Sequence, residues 1–422
     1  MHRIASALGR SRSALLFVIF LALWVPLAAG QQPATPANPP AAGTTTQAKA
    51  PEAAPTKGGD AEWARLAQQQ GKADTAILDW VLGNSGPLKG DARAGELRVA
   101  FTITPTEGWW DKAGGGKLAW HDAPDGNVHL RIFVLDAADG RLVPGLSVRA
   151  TLVDANGNEQ SVPADFGWYP LMNAYGGNIP LDTDSSYTLR VTVDSAQPHH
   201  VFGLGEHSMH STSVEFAPVQ ISLDAVAGMG LASEAAYANE AELLKPCNAA
   251  LSAAITALWK QSLSGAEQPF GDYFVGYALD FSGFVMPIRG AKLHVKNMID
   301  LDGKNSVRVV VLPRDSRSGR LIPGLKPQAS LIAADGKLYG PGELPLTWHS
   351  WLNHYGRGTR IPRKEVYKLR VHFEAPSFRR WGRQSERFAS PADVEFGNVA
   401  LRPDAKPPEA KPKQEATPEA KD

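Results

Sequence analysis

One stretch of this chain is written twice. Arg141-Leu142-Val143-Pro144-Gly145-Leu146 returns as Arg320-Leu321-Ile322-Pro323-Gly324-Leu325, Asn173-Ala174-Tyr175-Gly176 as Asn353-His354-Tyr355-Gly356, and Val214-Glu215-Phe216 as Val394-Glu395-Phe396. The paired positions lie 179, 180 and 180 residues apart. Three matches in one order at one spacing read as an internal duplication, which restricts the fold to two copies of one architecture. The copies share a scaffold but differ in their His and Met residues, so any special chemistry is expected at those positions.

The 422 residues allow two such domains with further segments. Lys+Arg and Asp+Glu both number 43, which argues against a nucleic-acid surface or a polybasic membrane surface. Arg3, Arg10 and Arg12, the apolar run Ala14 to Ala29 and the small residues Ala28-Ala29-Gly30 have the three-part pattern of a secretory signal over residues 1–30. The expected mature protein begins near Gln31 in the periplasm or outside the cell. An uncleaved N-terminal anchor is the alternative. Residues 31–59, rich in Pro, Ala, Thr and Gln, and residues 403–422 carry too few large apolar groups to offset the entropy of ordering, and are expected to be disordered. The single cysteine, Cys247, excludes an intrachain disulfide and reads as a small apolar residue on a helix.

Between these ends, residues 60–226 and 227–402 each read as a helical segment followed by a β-sandwich. Glu62 to Val81 has helical character and is stopped by Gly83-Asn84-Ser85-Gly86-Pro87. Ala235 to Ser262 also has helical spacing, with Pro246 dividing it into two shorter helices. Strand-like segments follow at Leu97–Ile103, Val128–Leu135, Ser147–Val153, Tyr187–Val193 and Val214–Leu223. In the second copy they are Tyr273–Leu279, Ser306–Leu312, Gln328–Ala333, Tyr367–Phe373 and Val394–Leu401. Asn156-Gly157 and Asp335-Gly336 mark hairpin turns, whereas Gly114-Gly115-Gly116 reads only as a flexible loop. The fold expected is mostly β, two tandem immunoglobulin-like sandwiches, each preceded by helix.

The chain orders its motifs as His129-Leu130, Pro144-Gly145-Leu146, a Met172 loop ending Tyr175-Gly176-Gly177-Asn178-Ile179, a Tyr187-x-Leu-x-Val strand, and a Phe202 to His207 segment. This order resembles the periplasmic iron-transport-associated proteins, small sandwich domains found beside high-affinity iron permeases. The resemblance covers about residues 96–224 and 272–402. It implies a dimer, mimicked here as a pseudo-dimer within one chain, with copper or iron as the bound metal and an inner-membrane iron permease as partner. It also implies copper ligation by His, Met and Glu. The His of the family's His-Leu-Glu strand matches His129, but its Glu falls on Arg131. The family's Met matches Met172, while the His two residues later is Ala174. In the second copy Leu352 lies near the Met position and His354 at the His position. The later His matches His207, with Gln384 in the corresponding region of the second copy.

The candidate metal ligands are therefore His129, Met172, His207 and His210, with His354 from the second copy. Imidazole and thioether suit copper better than magnesium or calcium, and a fixed cation at Arg131 disfavours a divalent ion. The bland alternatives are surface histidines and a pH-responsive loop. Trp109, Trp110, Trp120, Trp168 and Tyr169, with Trp348, Trp351, Tyr355 and Trp381, suggest either sugar stacking or core packing. No hydrolase, nucleotide or zinc-protease motif occurs, so the chain is expected not to be an enzyme. The functions these residues suggest are metal binding in support of iron or copper uptake, envelope adhesion or carbohydrate binding, and structural interaction with a decayed metal site.

Overall fold

The structure is a computed structural model and describes residues 59–124, 127–194, 200–202, 211–230, 232–281, 285–287, 306–348, 352–362 and 366–401. The signal-like segment and, apart from Gly59 at the start of the first helix, both expected disordered ends lie outside these residues. The chain is mostly β, arranged as two sandwiches with helices against them. Among the described residues, no helix is long and apolar enough to cross a membrane.

In the first sandwich, one sheet runs in the order Lys89–Ala94, Leu97–Pro105, Asn127–Asp136, Ala174–Pro180, Asp165–Trp168, Arg379–Trp381, Trp109–Ala113, Lys117–His121. The facing sheet runs Thr212–Ile221, Ser185–Asp194, Ser147–Asp154, Glu159–Val162. Strand Asn127–Asp136 shows why its sequence reads as an almost unbroken apolar run. Val128, Leu130, Ile132 and Val134 enter the sandwich core with Leu152 and Val191, while Phe133 and Leu135 face the other way onto a second cluster with Ile77 and Leu78 of the first helix. A strand buried on both faces has no polar side to display. His129 and Arg131 share that outer face through the two-residue period of the strand, and both are buried.

The second sandwich pairs the sheet Ser264–Phe270, Tyr273–Phe281, Ser306–Asp315, His354–Arg360, Leu346–Thr347 with the sheet Leu338–Glu343, Gln328–Ile332, Val366–Phe373, Ala392–Ala400. Val307, Val309 and Val311 point into its core. Val310 and Leu312 point out, beneath Ala254, Ile255 and Leu258 of the last helix. The helices are α1 (Gly59–Asn84), α2 (Leu223–Ala227), α3 (Ala232–Leu243) and α4 (Lys245–Gln261), and Pro246 sits in the first turn of α4, where a missing N–H costs nothing.

Each recurring tyrosine holds the recurring Pro-Gly turn of its own sandwich. The Tyr175 hydroxyl accepts from Leu146 N at 2.9 Å and donates to Val143 O at 3.3 Å; the Tyr355 hydroxyl accepts from Leu325 N at 3.0 Å and donates to Ile322 O at 3.0 Å. The glycine after Tyr175 is demanded by space, since a Cβ on Gly176 would stand 1.9 Å from Leu130 O.

The sandwiches exchange parts. Arg379–Trp381, from the C-terminal half, is inserted into the first sandwich's sheet, parallel to Asp165–Trp168 and antiparallel to Trp109–Ala113. A separate two-stranded sheet, His200–Phe202 antiparallel to Val285–Pro287, also joins the two halves. Trp168 is buried in the second sandwich's core and Trp348 in the first's. Arg320 lies over Trp168, 4.1 Å from the ring centre, and Arg141 over Trp348 at 4.5 Å. The triple glycine is a turn after all. It joins Trp109–Ala113 to Lys117–His121, with Gly115 and Gly116 at φ 74° and 72°, a conformation that favours glycine.

Since each core holds a tryptophan from the other half, neither sandwich is expected to unfold alone. Trp168→Ala and Trp348→Ala should each cost about 3–5 kcal/mol. Urea denaturation followed by circular dichroism should show one transition moving to lower urea in both variants; two separate transitions in the unmodified protein would refute the shared core.

Candidate functional site

The outer face of strand Asn127–Asp136 carries the first candidate ligand. His129 is fully buried and both its ring nitrogens are engaged. Nδ1 lies 2.8 Å from Asn178 Oδ1 and Nε2 lies 3.0 Å from the Tyr169 hydroxyl. The direction of these bonds follows from Asn178. Its Nδ2 donates to Glu107 O at 2.9 Å and its Oδ1 accepts from Glu107 N at 3.2 Å, which fixes that oxygen as the acceptor facing His129. His129 therefore donates from Nδ1 and accepts from Tyr169 at Nε2, a neutral imidazole with its one free lone pair already used. Trp381, on the inserted strand, closes the site edge-on, with ring centres 4.4 Å apart.

Arg131 lies two residues along the same face. Its Nε donates to Thr102 Oγ1 and its Nη2 to Ser85 Oγ, both at 3.2 Å, and its guanidinium lies 5.9 Å from the Tyr169 ring centre. Burial, and secondarily the Arg131 charge, push the His129 pKa down to about 3. Burial also raises the Glu107 carboxyl above its ordinary range, against the pull of Arg131. The position where a family carboxylate is expected thus holds a cation tied into the protein.

The second sandwich repeats the outcome with different residues. Arg308 occupies the outer face of Ser306–Asp315 and is almost fully buried. His354 Nδ1 lies 2.8 Å from Leu352 O, and the Arg308 guanidinium donates to His354 Nε2. A carbonyl can only accept and a guanidinium can only donate, so His354 is also neutral with its lone pair occupied. Burial first, then the Arg308 charge, hold its pKa well below the ordinary histidine range. Burial lowers Arg308 to about 10, opposed by Asp280.

Met172 is buried in a different setting. It packs with Leu171 and Ile77 and lines a cavity of about 120 Å³ at the seam between the sandwiches, together with Cys247 of α4. His207 and His210 lie outside the described residues. Of the five predicted ligands, His129 and His354 are thus placed in separate hydrogen-bond networks and Met172 in neither. Among the described residues, no group of three or more His, Cys, Asp or Glu side chains is positioned to hold a metal. His129 and His354 do not fit a copper ion as they stand, because a metal would have to displace Tyr169 in one case and approach a guanidinium in the other.

The aromatic residues divide similarly. Trp168, Tyr169, Trp348, Tyr355 and Trp381 are buried, which removes them as sugar platforms. Trp109, Trp110 and Trp120 remain partly exposed on the terminal hairpin of the first sheet, where Trp110 Nε1 donates to Arg383 O and Arg383 lies over Trp120 at 4.4 Å. The sequence reading missed Tyr169, Asn178 and Arg308 as partners of the histidines. Arg308 had a signal, since it lies 179 residues after His129.

No family model and no curated protein matches the sequence. Solved structures do resemble parts of it. A DUF4426 family protein of Pseudomonas aeruginosa PAO1 is 14% identical over 32% of this chain and 97% of its own, with a TM-score of 0.22. FetP of uropathogenic Escherichia coli F11, as isolated, is 19% identical over 32% of this chain and 95% of its own, with a TM-score of 0.23. A copper-bound variant of the same FetP is 20% identical over 34% and 96%, with a TM-score of 0.24.

The buried histidine makes a pH prediction. The native pKa of His129 is depressed below the unfolded value, so its contribution to stability is complete above about pH 6.5 and is lost as pH falls toward about 3, because only the unfolded chain takes up the proton. The loss is about 1.4 kcal/mol per pH unit in that window. Urea unfolding at pH 7 and pH 5 should show a shallower loss for His129→Gln than for the unmodified protein; equal losses would place the histidine in water.

Proposed function

We propose that this chain is an exported, non-enzymatic interaction protein on the scaffold of the periplasmic iron-transport-associated family. In this reading the family's dimer has become a pseudo-dimer within one chain, and the described part of its copper centre has become a structural network. The observation that carries this is the state of the two histidines. Each spends its only free lone pair on a protein donor, and an arginine lies on the same outer strand face or bonds the ring directly. Converting a metal site in this way keeps both imidazole rings hydrogen-bonded, as buried polar groups ordinarily are.

A second reading retains copper. Met172 faces a cavity that Cys247 also lines, and both sulfur groups suit copper(I). With His207 and His210 as further ligands, the protein would serve copper or iron uptake beside an inner-membrane permease.

Titration of the mature protein with copper(I) against a coloured chelator separates the two. Under the first reading the protein withdraws no copper from the chelator, and His129→Ala lowers stability without changing that result. One equivalent withdrawn by the unmodified protein, and lost in the combined Met172→Ala and His207→Ala variant, would replace the first reading with the second.

A further inference from the structure

A line of aromatic rings runs from the surface of the first sandwich to His129, and neither reading uses it. Its outer end is the terminal hairpin of the first sheet. There the exposed His121 stacks on the half-buried Trp109, with ring centres 5.1 Å apart and planes 10° from parallel. Trp109 meets Trp381 at 5.4 Å, since the two residues pair in neighbouring strands. Trp381 then lies parallel to Tyr169, with centres 5.8 Å and planes 11° apart. Both of these inner rings are buried. Each step falls within the range of about 4.5–7 Å at which aromatic rings touch. Gly167 permits the inner contact, because a Cβ there would stand 2.5 Å from Trp381 Nε1 and 2.9 Å from the Tyr169 ring.

Indole and phenol lose one electron more readily than most other side chains, and touching rings let the vacancy step from one to the next. The two ends of this line differ in what happens to the proton. Trp109 Nε1 is shielded from solvent and has no hydrogen-bond partner among the described residues, so an oxidised Trp109 has no base to take its proton. The Arg379 guanidinium, 5.2 Å from the Trp109 ring centre, also disfavours a positive charge resting there. Oxidation turns a phenol into a strong acid, so Tyr169 needs a base in contact with its hydroxyl. His129 Nε2 lies 3.0 Å from that hydroxyl, within the reach a proton transfer needs, and its lone pair already accepts the hydrogen bond. Asn178 holds the other ring nitrogen as a donor, which leaves Nε2 as the one basic position. Burial and the Arg131 charge make His129 a weak base, so it returns the proton when Tyr169 regains its electron.

We infer that this line is a one-electron relay between the surface hairpin and Tyr169. A strong one-electron oxidant at the hairpin takes an electron from Trp109, Trp381 replaces it, and Tyr169 replaces that in turn. The Tyr169 phenolic proton moves to His129 Nε2. The products are an oxidant reduced by one electron, a neutral Tyr169 radical and a His129 imidazolium. A one-electron reductant at the same hairpin reverses each step. The relay needs no metal, so it does not depend on either reading of the copper question.

Flash oxidation of the mature, metal-free protein by photogenerated tris(bipyridine)ruthenium(III) tests this, with radicals trapped by freezing and read by electron paramagnetic resonance. The unmodified protein should give a neutral tyrosyl radical, and Tyr169→Phe should lose it. Trp381→Phe breaks the line in the core and should lose the same signal. Should that variant fail to fold, Trp109→Phe at the half-buried outer position is the substitute, with the same loss expected. His129→Gln keeps an acceptor for the hydroxyl but removes the base, and should show a tryptophanyl signal in place of the tyrosyl one. A purely structural role for the histidine would not produce that change of radical. No tyrosyl radical in the unmodified protein would overturn the relay. So would a tyrosyl signal that survives in Tyr169→Phe, in a folded variant of either tryptophan, or in His129→Gln.

Discussion

The reciprocal exchange of tryptophans is the constraint on which the rest of this molecule depends. Trp168 leaves its own sandwich to fill the core of the other, and Trp348 does the reverse, each capped by an arginine from the recurring Arg-Leu-x-Pro-Gly-Leu motif. A buried tryptophan removes a large apolar area from water, and an arginine over its face adds a smaller attraction. The exchange brings the inserted strand Arg379–Trp381 alongside Asp165–Trp168, and that strand delivers Trp381 onto His129. The surroundings of the first histidine are therefore closed by the ring of a residue more than 250 positions away in the chain.

That dependence explains why residues of ligand type need not form a metal site. A histidine binds metal through a lone pair, and the neighbours decide whether that lone pair is free. Asn178 sets the tautomer of His129 and Tyr169 takes the remaining nitrogen. In the second sandwich Arg308 does so directly. Arg131, two residues along from His129, is secured by Ser85 just beyond α1 and by Thr102 on the adjacent strand, so the cation belongs to the packing between helix and sheet.

The seam between the sandwiches is less tightly filled than the cores beside it. The leucines and prolines of the two recurring turns meet α1 and α4 there and leave a cavity, whereas the cores on either side are filled. Surfaces brought together by exchange must satisfy strand pairing and core packing first, and the leftover space falls where the helices bridge the two halves.

Much of the fold could be read from the residues themselves. The ten strand-like segments, the long first helix and the break at Pro246 follow from local periodicity and from the missing proline N–H, and these act within a few residues. The hairpin turn at Asn156-Gly157 follows from the positive φ of Gly157 in the same local way. The three-residue strand Arg379–Trp381 carries no alternation long enough to register, and its pairing partners are chosen by the other half of the chain. The same limit holds for the candidate site. His129, Met172 and His354 could be picked out by residue type, but whether an imidazole is free, protonated or bonded depends on groups that only the folded chain brings within 3 Å. Sequence alone determined ten of the strands, the repeated turns and the short list of donor residues. Tertiary structure decided which donors remained free, because hydrogen bonding and desolvation at a buried ring are set by neighbours distant in sequence.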